Sequence, residues 1–254
     1  MKKILGICGD SFMASISKDD DNLENGYGKH FTDILKERLG CEIITYAKGG
    51  VSNQCIRLQI DEIIKHNPHH IIIGTTSPDR IEIPLNDLKV NNYFEKWKNH
   101  YFKSDNGLSN ISYKNSLEES GKNVIFNNST PTMLSNSINN ILYENIVNEE
   151  MKENVNNYFQ FLYDMEWKKQ QDTWIISEGI YKLLSHNFNF HLITPILDDK
   201  YFSFCKDNII KNLDELNPWT YYSVNKETKN PFHISNEDSE ILANKWFNLL
   251  KDKF

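Results

Sequence analysis

The chain has 254 residues with 28 Lys plus Arg against 35 Asp plus Glu, a formal net charge of -7. Its basic residues form no cluster of the kind with which nucleic-acid binders neutralise phosphates, Lys168-Lys169 and the Lys-containing C-terminus being interrupted by acids, so no nucleic-acid partner is expected. Aromatic residues make up 12% of the chain, which excludes a disordered polymer despite the abundance of asparagine.

The first apolar run, Lys3 to Cys8, stops in Gly9-Asp10-Ser11, the pattern of a buried parallel strand ending in a turn. The stretch from Met1 to Cys8 is too short for the apolar core of a signal peptide or for a membrane span, so a soluble, cytoplasmic chain with no membrane partner is expected. Ser15 to Asn25 reads as a surface loop. From Gly28 to Leu39, Phe31, Ile34, Leu35 and Leu39 recur at helical spacing, and Gly40 suits a C-cap. A second β-rich run, Glu42 to Ala47, ends in Gly49-Gly50. Ile56, Ile60, Ile63 and Ile64 then mark an amphipathic helix closed by Pro68, with Asn53 as its candidate N-cap.

His70 to Ile73 is a third strand, broken by Gly74-Thr75-Thr76-Ser77-Pro78. Strands alternating with helices imply a doubly wound, three-layer α/β/α domain with a mostly parallel sheet. The middle of the chain, about 85–187, reads as a helical and loop insertion in a single domain spanning 1–254. Helical periodicity is expected over Ile138 to Asn154 and over Tyr158 to Ser185, the latter including Phe161, Leu162, Met165, Trp174 and Tyr181, and these helices are expected to pack on or beside the sheet. Phe188 to Ile196 reads as a late core strand, followed by a polar, aromatic-containing loop. The last helix starts at Ser235 with Asp238 three residues on, in the manner of a capping box. Its apolar face comprises Ile241, Leu242, Trp246, Leu249 and Leu250.

Four cysteines (8, 41, 55 and 205) show neither C-x-x-C pairing nor zinc-ligand spacing, so reduced thiols and no metal are expected. His66, His69 and His70 share no spacing with a carboxylate and read as solvent-facing. Neither G-x-G-x-x-G nor G-x-x-x-x-G-K-[ST] is present to cradle a nucleotide.

Open α/β sheets bind ligands at the carboxyl ends of their strands, where Ser11, Gly50 and the Gly74 to Ser77 turn would lie. A nucleophilic serine needs a tight turn, a base and oxyanion donors, and His233, just before the last helix, could join these residues as the base. Arg80, on the loop after Gly74, could bind an anionic or hydroxyl-rich group of a substrate. The aromatics between Tyr93 and Phe102 could stack on sugar rings.

These blocks resemble the SGNH/GDSL hydrolase family. Gly9-Asp10-Ser11 is similar to its first block, whose serine is the nucleophile and also donates an amide to the oxyanion. Gly50, within Gly49-Gly50-Val51-Ser52-Asn53, is similar to the second, where a glycine amide is another donor. Gly74-Thr75-Thr76-Ser77 stands where the family has Gly-x-Asn-Asp, and Asn230-Pro231-Phe232-His233 where it has Asp-x-x-His. The resemblance covers roughly 1–84 and 188–254. It implies an SGNH/flavodoxin-like fold and an esterase without cofactor, acting on a small-molecule or glycan ester, most plausibly an O-acetyl group on a carbohydrate. Ser11 would be the nucleophile and His233 the base; Asp10, Gly50, Asn53, Thr76 and Arg80 would form the oxyanion and substrate side.

Two departures shape the expectation. Thr76 replaces the oxyanion-hole asparagine, and Asn230 replaces the triad acid. The residues leave open a Ser-His dyad, a triad completed by Asp198, Asp199, Glu237 or Asp238, and a non-catalytic binding or assembly protein that keeps the fold. They do not specify an oligomeric state.

Overall fold

The computed structural model describes residues 3–14, 29–47, 51–78, 80–84, 123–127, 153, 157–195, 197, 199–210, 214–224 and 234–254. The chain divides into two compact units, Met1–Ser77 with Asp172–Phe254, and Pro78–Gln171. The second unit overlaps the stretch at about 85–187 that was expected as an insertion.

The first unit is built on a five-stranded, all-parallel sheet. Its strands are β1 (Ile4–Cys8), β2 (Glu42–Thr45), β3 (His70–Gly74), β6 (Phe190–Ile193) and β7 (Ile209–Ile210), in the order β2-β1-β3-β6-β7. Pairing Leu5 with His70 and Ile72 with His191 sets which side chains share a face. On one face, Leu5, Ile7, Ile72 and Ile193 form a core with Phe31, Ile34 and Leu35 of α1 (Phe31–Leu39) and Leu242, Trp246 and Leu250 of the C-terminal helix, Asn236–Leu250. On the other face lie α2 (Asn53–Ile64) and α3 (Met165–Ser185), the latter from Asp172 onward. Gly6 allows α2 to approach closely, since a Cβ there would sit 2.7 Å from Ile63 Cγ1. Helices on both faces of a parallel sheet make the three-layer α/β/α architecture that the strand and helix alternation predicts.

The helix ends follow local chemistry. The side chain of His30 accepts from Thr32 N before α1, and Gly40 takes the left-handed conformation after it. Ser52, not Asn53, caps α2, its side chain accepting from Cys55 N; Asn53 is left for another task. At the last helix Ser235 Oγ accepts from Asp238 N at 3.0 Å and donates to the Asp238 carboxylate at 2.6 Å.

Some expectations need correction. His70 is buried, its Nε2 2.7 Å from Nδ1 of His191, because β3 is an interior strand whose first residue faces inward. His66 is half-buried against the Tyr46 hydroxyl, 2.7 Å away, whereas His69 is exposed as expected. The helix α3 buries Ile176, Gly179, Ile180 and Leu183 and leaves Trp174 and Tyr181 exposed. The expected loop after β6 contains a 3-10 segment, Asp199–Asn208, then β7 and α4 (Pro218–Val224). All four cysteines are free thiols.

The second unit contains β4 (Arg80–Pro84) paired antiparallel with β5 (Asn123–Asn127), a small sheet where helix and loop were expected. A π-helical turn, Tyr158–Leu162, precedes the start of α3, and the Tyr163 hydroxyl donates to Pro78 O at 3.1 Å. The helix expected over Ile138 to Asn154 lies outside the described residues except for Glu153, which is helical. Among the described residues no helix is long and apolar enough to cross a membrane.

Candidate active site

From β1 the chain proceeds to β2 on one side, and from β2 it returns across to β3 on the other, so the strand order reverses between β1 and β3. In doubly wound sheets the crevice at the carboxyl ends of such a strand pair is where ligands bind. Ser11 follows β1 and Thr76 follows β3, so both stand at that crevice.

The turn that carries Ser11 is held from several directions. Gly9 adopts φ 149°, a value side chains disfavour, and a Cβ there would meet Gly74 O at 2.9 Å and Met13 Cγ at 2.5 Å. After it, Asp10 gathers the next amides. Phe12 N donates to Asp10 Oδ1 at 3.0 Å, and Met13 N and Ala14 N donate to Asp10 O at 3.0 and 3.1 Å. The result is one tight helical turn with half-buried Ser11 at its start. Phe12 stacks on Trp219 of α4 with ring centroids 4.0 Å apart, and its carbonyl lies 3.2 Å from His30 Nε2.

A hydrogen-bond chain ties this turn to the end of β3. The Thr76 hydroxyl donates to Asp10 Oδ2 at 2.6 Å. Asn53 grips the Thr76 backbone with both ends of its amide: Oδ1 accepts from Thr76 N and Nδ2 donates to Thr76 O, each at 2.9 Å. Asn53 Nδ2 also donates to Asp172 Oδ2 of α3 at 2.9 Å. Asp10, Asn53, Thr76 and Asp172 are all buried. Burial makes these bonds exacting, since an unpaired polar group there would cost more than the bond contributes.

The structure thus assigns new tasks to three expected site residues. Thr76 was expected to help hold an oxyanion, but its hydroxyl proton goes to Asp10 and its N–H to Asn53. Asp10 and Asn53 brace the turns. Arg80 is not on a loop: it opens β4, in the second unit, because Arg80–Pro84 pairs with Asn123–Asn127. Gly50, Asn230 and His233 lie outside the described residues, as does Asp198. Of the other acids considered, Asp238 is engaged with Ser235 in the helix cap and Glu237 is exposed in the first turn.

Cys8 and Cys205 are poor nucleophiles. Burial pushes the Cys8 thiol far above its ordinary range and the Cys205 thiol up to about 11, so neither supplies thiolate near neutral pH. Among the described residues no group of three or more His, Cys, Asp or Glu is arranged to hold a metal.

Sequence reasoning missed four contributors. Gln59 hydrogen-bonds both backbone polar groups of Gly9, and its position in the apolar stripe of α2 was a readable sign. Asp172 gave no sign beyond being an acid within a helix. His30 and Trp219 look like ordinary flanking residues until the fold brings them to Phe12.

No protein-family model matches the chain, and comparison with curated proteins finds no significant match. The functional reading therefore rests on the residues and their geometry.

Proposed function

We propose that this chain is an SGNH-like serine hydrolase that cleaves an ester, with an O-acetyl group on a carbohydrate as the substrate class. Ser11 Oγ attacks the acyl carbon while His233 accepts its proton, and the Ser11 and Gly50 amides hold the oxyanion. Collapse expels the alcohol, which takes the proton from His233 and leaves an acetyl-serine. Water, deprotonated by His233, then releases acetate and restores Ser11. No metal or organic cofactor enters these steps.

The observation that carries the reading is the position of Ser11 on a braced turn beside the strand-order reversal between β1 and β3. Ile234, just before the C-terminal helix, belongs to the same core as Leu5 and Ile7. The carbohydrate preference draws on the family resemblance and on the aromatics between Tyr93 and Phe102. Asn230 cannot carry the charge of a triad carboxylate.

One observation favours a second reading, a binding or assembly protein that keeps the fold without turnover. Both donors of Thr76 are consumed internally, which removes one oxyanion contact that the family pattern supplies. Hydrolysis of a chromogenic acetyl ester decides between the two. The hydrolase reading expects turnover that falls to background in Ser11→Ala and by about 10³-fold or more in His233→Ala. Equal rates in all three proteins would support the binding reading.

A further inference from the structure

We propose that Gln59 is a positioning residue for Ser11, a role that rests on the hydrolase reading. Its side-chain amide closes on one residue from both sides: Gly9 N donates to Gln59 Oε1 at 2.7 Å, and Gln59 Nε2 donates to Gly9 O at 3.2 Å. Gln59 is 3% exposed, so water does not compete for either bond.

The two bonds act on different peptide planes. The Gly9 N–H belongs to the plane joining Cys8 to Gly9, and the Gly9 carbonyl belongs to the plane joining Gly9 to Asp10. Holding both fixes the rotation at Gly9, whose φ of 149° has no side chain to enforce it. The following plane carries the Ser11 N–H, and its carbonyl, that of Asp10, is fixed by Met13 N and Ala14 N. The Ser11 amide is therefore held from both sides, by these bonds after it and by Gly9 before it, and Gln59 is the side chain that holds Gly9. An oxyanion donor must be aimed before the reaction, because reorganising it would forfeit its advantage.

A carboxamide suits this position because it offers a donor and an acceptor without carrying charge. A carboxylate can accept from Gly9 N but offers no donor to Gly9 O. A methionine of similar length offers neither. Gln59 also lies on the helix that carries Asn53, so α2 braces the turn after β1 with one amide and the turn after β3 with another.

The test is the kinetics of a serine-reactive fluorophosphonate on the full chain, with Gln59→Met and Gln59→Glu compared with wild type. Folding is checked by circular dichroism, and backbone amide exchange is followed over residues 8–14. The proposal expects the maximal labelling rate to fall at least tenfold in Gln59→Met with half-saturation within twofold, together with faster exchange in that segment. Gln59→Glu, which keeps one bond, should fall in between and serves if the methionine variant does not fold. A folded variant that labels and exchanges at the wild-type rate overturns the proposal. If wild type takes no label, the nucleophile reading fails and the positioning role falls with it; a labelled wild type beside a folded variant of unchanged labelling and exchange overturns the positioning role alone.

Discussion

Thr76 has one hydroxyl proton, and it points to the Asp10 carboxylate 2.6 Å away. A hydrogen bond to a charged group contributes about 1.5–3 kcal/mol, and losing it leaves a buried oxygen short of a donor. Thr76→Val, which keeps the shape and removes the hydroxyl, should lower stability by about that amount, read as a lower melting temperature. Labelling of Ser11 in the variant should drop only as far as the turn loosens. Were Thr76 an oxyanion donor instead, turnover would collapse with the melting temperature unchanged. The residue type and spacing of Thr76 were legible, but its task was not. A threonine two residues past a strand looks the same whether it faces a crevice or a buried aspartate, and only the approach of β3 to β1 decides.

At the scale of elements, β3 and β6 bring His70 and His191 together on the face covered by Trp246, whose ring lies edge-on to His191 with centroids 5.5 Å apart. Burial, then His191 and Lys253, lower the His70 pKa to about 3; burial, then Lys253, lower that of His191 to about 4. Unfolded histidines protonate near pH 6.5, so below that pH the unfolded chain binds more protons than the native one. The stabilisation is complete above that pH and is lost as pH falls toward the native values. The melting temperature should therefore drop between about pH 7.5 and about pH 5. The drop should shrink in a His70→Leu, His191→Leu double variant; an equal drop in both proteins would exclude the pair as its source. Sequence could not reveal this pair, because its members stand 121 residues apart. Elements with several turns of periodicity, such as α1, α2 and the C-terminal helix, were legible. The two-residue β7 was not, since two residues carry no period, and β4 escaped because its partner lies far along the chain.

At the scale of the whole molecule, alternating strands and helices led to the three-layer architecture, and the order β2-β1-β3-β6-β7 adds the reversal that locates the crevice. Turn residues after the first and third strands indicated which loops matter, because tight turns at strand ends need particular residues. The bracing by Gln59, Asn53 and Asp172 was hidden, since it depends on which helix face meets which strand end. The central claim is that this architecture activates Ser11, and the direct measurement is peptide-level mass mapping of the native protein after fluorophosphonate treatment. The account predicts a single phosphonyl adduct on Ser11, absent in Ser11→Ala and in heat-unfolded protein. An adduct on another residue, or no adduct on the folded chain, would contradict it.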